Sequence, residues 1–555
     1  MIQYILIFFL LGKQSNALSE RGLTNTKSGF FELSIIHFND FHARFEEVSP
    51  TASSCHRSSD KICVGGLSRI STAAKQLLRD RPNSIFLNAG DNYQGTLWYN
   101  VHRWNATITL LNMLPQDAMT IGNHEFDDGI AGLVPYLKNA KAPVVVTNID
   151  TTHEPSMQNL MKNSTIIIRG GRKIGIIGVL IKTTPELSRS EKLIFLDEIE
   201  TVNLEAQKLK KEGNVDIIIV LSHCGLEIDK KMANHCPLVD VIVGGHSHTF
   251  LYSGKPPFID HPEDEYPVVV TQEKSNRKVL VVQAAAFSKY LGNMTVWFDE
   301  KGEVQEWEGN PILLDESIEE DPEMLKALEP WKAQVDEIGK KVIGRSKVEL
   351  KRDCRVGECN IGNMITDAMV DFYVNRPENE SFWTYAAIAV TNGGGVRSSI
   401  DNLSGNITYG DLIMSTPFEN TWDVVELKGS DIRQTLEISV ALTTQSKWNG
   451  YSFLIWSGLK VVYDMSKEPY SRVVDVKVKC RKCDIPMYEN LKDNEWYRVI
   501  VPTFLIRGGD GHYIIEQKHK SHEVGFRDID ILAKYVKKMS PIMYGKEGRI
   551  KFIGK

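Results

Sequence analysis

Four short, nearly continuous apolar runs in the first half of the chain each end in residues able to bind metal. Leu33-Ser-Ile-Ile-His-Phe38 leads into Asn39-Asp-Phe-His42, and Ser84-Ile-Phe-Leu87 into Asn88-Ala-Gly-Asp91. Asp216-Ile-Ile-Ile-Val-Leu221 leads into Ser222-His223, and Val239-Asp-Val-Ile-Val243 into Gly-Gly-His-Ser-His248. Runs without polar alternation suit strands covered on both faces. Helical patterns lie between them, at Gly66–Arg79 and Val202–Lys211. An open α/β sheet places its ligand site where its parallel strands end. The pattern therefore predicts an α/β fold with several polar strand ends on one edge.

A chain of 555 residues exceeds one ordinary core, so two domains are expected. Near 315–341 it turns acidic and helical, with Asp315-Glu-Ser-Ile-Glu-Glu-Asp-Pro-Glu followed by Met324–Lys341. This reads as a connector whose charges sit on a solvated helix face. Residues 30–314 then form a first domain. Residues 342–555 form a second, rich in strands and turns and poor in metal-type side chains. Net charge is only −6 and no basic block stands out, which argues against a nucleic-acid partner.

The N-terminus carries an apolar stretch, Ile5–Leu11, and small residues in Ser15-Asn16-Ala17. That pattern predicts a signal peptide over residues 1–17. The run is much shorter than the roughly 20 residues a bilayer span needs. The last residues, Glu547–Lys555, carry no apolar tail of the kind a lipid-anchor signal requires, so a secreted, extracellular product without a membrane anchor is expected. Eight cysteines fall into four close pairs: Cys55/Cys63, Cys224/Cys236, Cys354/Cys359 and Cys480/Cys483. In an oxidising compartment such spacing suggests disulfides. Zinc is the rival reading for Cys480-Arg-Lys-Cys483, but no second pair completes a tetrad. Six sequons, at Asn105, Asn163, Asn293, Asn379, Asn402 and Asn406, fit glycosylation on the same route.

Singly, each metal-type residue has an ordinary explanation: Asp40 and His42 as a turn pair, Asp91 as a helix cap, His223 as a core histidine. The set does not. Asp-x-His, Gly-Asp, Gly-Asn-His-Glu, Ser-His and Gly-His-x-His follow one another in order. Side-by-side strands would gather them at one edge. Imidazole and carboxylate donors suit zinc, iron or manganese. Two such ions roughly 3.5–4 Å apart can clamp the attacking and leaving oxygens of a phosphoryl transfer. Asp91 is the candidate bridge.

Asp40-Phe-His42, Gly90-Asp91-Asn, Gly122-Asn-His-Glu125, Ser222-His223 and Gly245-His-Ser-His248 resemble the calcineurin-like metallophosphatase signature. The strings Asn88-Ala-Gly-Asp-Asn-Tyr-Gln-Gly-Thr96 and Gly122-Asn-His-Glu-Phe-Asp127 narrow the resemblance to the 5′-nucleotidase/apyrase family. That resemblance implies a four-layer metallophosphatase domain, a helical linker and a C-terminal α/β nucleotide-binding domain. It also implies two divalent metal ions (zinc, or calcium, magnesium or manganese). Asp40, His42, Asp91 and His248 would hold one, and Asp91, Asn123, His223 and His246 the other. His248 stands where the family often has an amide, which bears on metal preference. His124 and Asp127 would act on the transferred phosphate during direct in-line attack by water.

For the second domain the resemblance implies phosphate binding by Arg397, in Thr391-Asn-Gly-Gly-Gly-Val-Arg397, and by Arg355. Phe418 and Phe504 would sandwich the base, Asp510 bind ribose hydroxyls and Asn392 contact the base. Metals and aromatics from different domains must then meet, which implies a domain rotation. Within the family, Gly95-Thr-Leu-Trp-Tyr-Asn100 and Arg103-Trp-Asn105 look like secreted salivary apyrases of blood-feeding arthropods, and the Asn392–Arg397 loop like ecto-5′-nucleotidases. The reading adopted is an apyrase taking ATP and ADP to AMP, suppressing purinergic signalling and platelet aggregation in a host. The alternative is a 5′-nucleotidase taking AMP to adenosine. A nucleotide-sequestering binder without activity would be expected to have lost a metal ligand or His124, and none is missing.

Overall fold

Ile217–His223 forms a strand buried at every position, as a run without polar alternation should. It lies parallel to Arg172–Leu180 on one side and Val241–Val243 on the other, and Lys278–Val282 continues the parallel set. Antiparallel strands Ser164–Arg169 and Val268–Thr271 close the two margins. A second sheet runs in the order Val304–Gly309, Tyr290–Phe298, Phe31–Phe38, Ile85–Asn88, Ala118–Met119, its last three strands parallel. The computed structural model describes residues 29–50, 52–55, 62–355, 357–374, 382–401, 403–441, 450 and 452–554. The leader read at 1–17 and the sequons at Asn379 and Asn402 lie outside these residues.

The two sheets face each other. Leu33, Ile35, Leu87 and Val296 of one pack with Ile176, Val220, Ile242 and Val281 of the other. Helices Glu198–Gly213 and Leu226–His235 cover one outer face through Val202, Ala206 and Met232. Helices Leu67–Asp80 and Leu97–Leu111 cover the other, setting Ile70, Leu77 and Leu110 with Ile36 and Phe86. Each fully buried Leu, Ile or Val contributes about 1.5–3 kcal/mol, so both sheets are held rigidly between helices. This is the expected four-layer arrangement.

Helix Pro322–Gly339 begins with proline in its first turn and is capped by Asp321, which accepts the N–H groups of Glu323 and Met324. The acidic run before it is not merely a solvated face, which corrects the sequence reading. Asp321 is buried, and its other oxygen accepts from Ser71 Oγ and Lys75 Nζ, both at 2.6 Å. Glu320 accepts from Ser68 Oγ at 2.9 Å. A buried carboxylate needs such partners, and supplying them docks the helix against Leu67–Asp80.

Beyond that helix lies a five-stranded sheet in the order Leu454–Ser457, Ile388–Asn392, Trp496–Pro502, Thr421–Lys428, His522–Arg527. A four-stranded sheet accompanies it: Tyr488–Asn490, Val473–Lys479, Leu459–Asp464, Ile550–Ile553. Helices Asn360–Val374 and Asp528–Met539 pack with the five-stranded sheet through Ile365, Met369, Ile531 and Leu532.

Cys55–Cys63, Cys354–Cys359 and Cys480–Cys483 are disulfides. Cys224 and Cys236 are not: both are free and buried. The whole helix Leu226–His235 separates them. At 1.5 Å per residue that helix is about 15 Å long, against the roughly 7 Å a disulfide spans. One sequon is also corrected. Asn293 lies within strand Tyr290–Phe298, opposite Ile36, and is only 8% exposed, leaving no room for a glycan. Asn105 and Asn163 are exposed, and Asn406 is half-buried.

Candidate active site

The loops after Phe38, Asn88, Met119, His223 and Val243 converge. Asp40 N–H donates to Gly90 O at 3.0 Å, His42 N–H to Asp91 O at 2.9 Å, and His246 N–H to Asp40 Oδ2 at 3.0 Å. Asp40, His42, Asp91, His246 and His248 all adopt positive φ, between 49° and 73°. Left-handed backbone costs a residue with a Cβ on the order of 1–3 kcal/mol. Five such residues at one edge mark a site whose geometry the surrounding fold imposes.

Their donor atoms form two groups that share one carboxylate. Asp40, His42, Asp91 and His248 make the first, and Asp91, His223 and His246 the second. Asp91 Oδ2 lies 3.1 Å from His223 Nε2 and 3.7 Å from His42 Nε2. His42 Nε2 and His248 Nε2 stand 3.1 Å apart, and Asn123 Oδ1 is 2.8 Å from His246 Nδ1. His42 and His223 direct Nδ1 at the carbonyls of Tyr93 and Ala89, at 3.1 and 2.6 Å. A proton on each Nδ1 turns both Nε2 atoms inward, the usual way in which a backbone carbonyl orients a metal-ligating histidine. Burial would lower His223, but Asp91 and Asp40 outweigh it and raise its imidazole to about 10, and a bound cation would take the place of that Nε2 proton. His223 Nε2 is buried with no hydrogen-bond partner. This arrangement fits two divalent cations bridged by Asp91. Gly122 keeps the space open, since a Cβ there would fall 2.2 Å from Asp91 Oδ1 and 2.5 Å from His223 Nε2.

Burial holds the His246 imidazole down to about 4, helped by the charge of His223, so it stands neutral and able to donate a lone pair. Burial alone would raise Asp91, but His223, His124 and His42 outweigh it and hold the carboxylate ionised. His124 N–H donates to Asp91 Oδ1 at 2.9 Å, while its Nδ1 meets Asp127 Oδ2 at 2.8 Å. Burial would lower the His124 imidazole, yet Asp127 and Asp91 raise it above its ordinary value. Its cationic form is therefore favoured beside the metal-type edge.

Glu125, Gln94 and Ser188 were not singled out in the sequence. Buried Glu125 accepts the N–H groups of Asp91, Asn92, Tyr93 and Gly122, tying together the loops that carry Asp91 and Asn123. Its position inside Gly-Asn-His-Glu is a signal that could have found it. Gln94 Nε2 donates to Asp127 Oδ2 at 3.2 Å, and Ser188 Oγ to Asp127 Oδ1 at 3.3 Å. Nothing in the local pattern around Ser188 announces that contact.

The second domain reaches into the same place. Arg397 Nη2 lies 3.2 Å from His42 Nε2. Burial and then the charges of Arg397, Arg355 and Arg352 hold His248 well below its ordinary value. The Arg352 guanidinium lies 5.6 Å over the Phe287 ring, which stands 5.0 Å from that of His248. The Phe418 ring is stacked on His124 with centroids 5.5 Å apart. Asn392 Nδ2 donates to Asp510 Oδ2 at 2.6 Å. The Phe504 ring lies against Gly509, where a Cβ would fall 2.5 Å from Cε1. Asn420, two residues after Phe418, accepts the Phe504 N–H at 3.0 Å.

Residues 33–250 match the calcineurin-like phosphoesterase family, and residues 342–517 the 5′-nucleotidase C-terminal domain. An apyrase of Tabanus yao is 46% identical over 94% of each chain. The human 5′-nucleotidase is 43% identical over 95% of this chain and 92% of its own. The crystal structure of a 5′-nucleotidase precursor from Thermus thermophilus superposes with a TM-score of 0.86 at 36% identity, covering 95% of this chain and all of that one. With the two-metal donor set in place, the chain is a nucleotide phosphohydrolase and belongs to the 5′-nucleotidase/apyrase family of calcineurin-like metallophosphatases.

Proposed function

We propose that this protein is a secreted apyrase that hydrolyses extracellular ATP and ADP to AMP and phosphate, damping purinergic signalling and platelet aggregation in a host. The observation that carries the reading is the placing of Arg397 Nη2 3.2 Å from His42 Nε2, and of the Arg352 guanidinium 5.6 Å over the Phe287 ring that stands 5.0 Å from His248, beside the Asp40–His42–Asp91 group. Several guanidiniums next to a metal-type edge suit a polyphosphate with several negative charges. The identity with the Tabanus apyrase supports the same choice.

Divalent ions held by the two groups would supply Lewis-acid charge to the attacking and leaving oxygens of an in-line displacement. The chain's own residues do the rest. His124, kept cationic by Asp127, meets negative charge as it develops on the phosphoryl oxygens. Gln94 and Ser188 hold Asp127 in position. Arg397 and Arg355 grip phosphate, Phe418 and Phe504 take the base, and Asp510 with Asn392 bind ribose and base.

A specific contact favours the second reading, an AMP-cleaving 5′-nucleotidase. Phe418 stacked directly on His124 brings the base platform close to the phosphate machinery, which suits a ligand with one phosphate. Phosphate release from ATP, ADP and AMP, measured in parallel with and without chelator, separates the two. The apyrase reading expects faster release from ADP and ATP than from AMP, and none with chelator. Release from AMP alone would overturn it and leave the metallophosphatase standing.

A further inference from the structure

Helix Leu97–Leu111 of the first domain is interrupted at Arg103, whose backbone sits at φ 53°, ψ −143°. That conformation is open to glycine and strained for any residue with a Cβ, and it persists only where its surroundings impose it. Here the surroundings cross the domain boundary. Arg103 Nη1 donates to Asp128 Oδ1 at 3.2 Å, and Nη2 to Glu419 Oε2 at 2.6 Å. Its guanidinium lies 5.5 Å over the Tyr99 ring, and the Tyr99 hydroxyl donates to Asp128 Oδ2 at 2.7 Å. Glu419 is itself left-handed, at φ 54°. About one turn before Arg103, Asn100 Nδ2 donates to Pro417 O at 3.4 Å.

Pro417 and Glu419 flank Phe418, the ring stacked on His124. One helix of the metal-bearing domain thus holds both neighbours of the aromatic that the second domain presents. Asp128 follows Asp127 directly, so the hold is anchored to the turn that carries His124 and Asp127. The Arg103 and Glu419 side chains are 34% and 31% exposed. Water can reach this ion pair, and it can open without breaking a core.

We infer that Asn100 and Arg103 grip the two neighbours of Phe418, fix how far that ring stands from the metal-lined edge, and so select nucleotides by their number of phosphates. The inference rests on the nucleotide-hydrolase reading with Phe418 against the base. The reacting phosphate must lie at the metal edge whatever the nucleotide. Each added phosphate therefore lengthens the span from that edge to the base. A tight grip lowers the preference for longer ligands relative to shorter ones, and a loosened one raises it.

Arg103→Gly removes the guanidinium while fitting the backbone, and Glu419→Ala removes its partner without touching the helix. The experiment compares kcat/KM for ATP, ADP and AMP in wild type, both single variants and the double variant, with metal content and Tm recorded. The ratio of ATP to AMP should rise at least about fivefold in either single variant with metal content unchanged. The double variant should shift no further than either single, because the two residues act through one another. Asn100→Ala should move the ratio the same way by less. Ratios within about twofold of wild type in both singles, or a double-variant shift equal to the product of the singles, would overturn the grip. If wild type cleaves AMP alone, the apyrase reading fails separately. The grip is then decided by ADP as a competitive inhibitor of AMP hydrolysis, through the ratio of its Ki to KM for AMP in the same variants.

Discussion

Asp40, His42, Asp91 and His223 are each at most 1% exposed and hang from the ends of parallel strands sandwiched between helical layers, whereas Phe418, Phe504 and Asp510 are half-buried on a turn and two short helices of the second domain. The first set is locked by neighbours within its own domain: Glu125 holds four backbone N–H groups, and Tyr93 and Ala89 orient two imidazoles. In the second set Phe418 is held between domains, by Asn100 and Arg103 on its two neighbours and by stacking on His124, whereas Asn420 and Asn392 hold Phe504 and Asp510 within their own domain. The chemistry is thus built on residues held within one domain, and the proposed choice of substrate on a contact made between two. Damage to the first region should abolish turnover, and damage to the second should weaken binding or redistribute turnover among substrates.

The largest effect short of losing metal is expected at His124. His124→Ala should retain both ions and lose on the order of 10²–10³ in kcat, the usual result of removing one preorganised stabilising group. Unchanged kcat, or a metal-free variant, would place His124 elsewhere in the scheme. Glu125→Gln tests whether the metal edge is rigid because of its own hydrogen bonds. The amide turns an N–H toward donors already pointing inward, and a buried clash of donors costs about 1–3 kcal/mol. Calorimetry should show a lowered Tm with weaker metal retention. An unaltered Tm would mean that the loops hold without it. The smallest effect is expected at Phe504. Phe504→Ala should raise KM for all nucleotides by about 1–3 kcal/mol, the worth of one base–aromatic stack, with kcat nearly unchanged. A fall in kcat at constant KM would show that this ring acts in the transition state, and the contrast between the regions would fail.

The contrast also explains what could be read from the sequence. The ligands follow apolar runs directly, so Asp40, His42, Asp91, His223, His246 and His248 were recognisable as a set from local strings, and parallel pairing brings them together. Local pattern could not show that Asp321 is buried against Ser71 and Lys75, because that contact joins residues 250 apart. The same holds for Arg103, whose partner lies 316 residues away. Close spacing misled at Cys224 and Cys236, where a helix fills the interval, and at Asn293, where a sequon lies in a central strand. Phe418 and Phe504 were identifiable only by family resemblance, since phenylalanines beside prolines carry no chemical signature of their own.

Asp91 is the one carboxylate common to both donor groups and would join two metals at the strand ends. Elemental analysis of wild type and Asp91→Ala, with phosphate release measured on the same samples, tests it most directly. Two divalent ions per wild-type chain are expected, with loss of both metal and activity in the variant while its circular dichroism stays that of the fold. Two ions still bound per Asp91→Ala chain would contradict it.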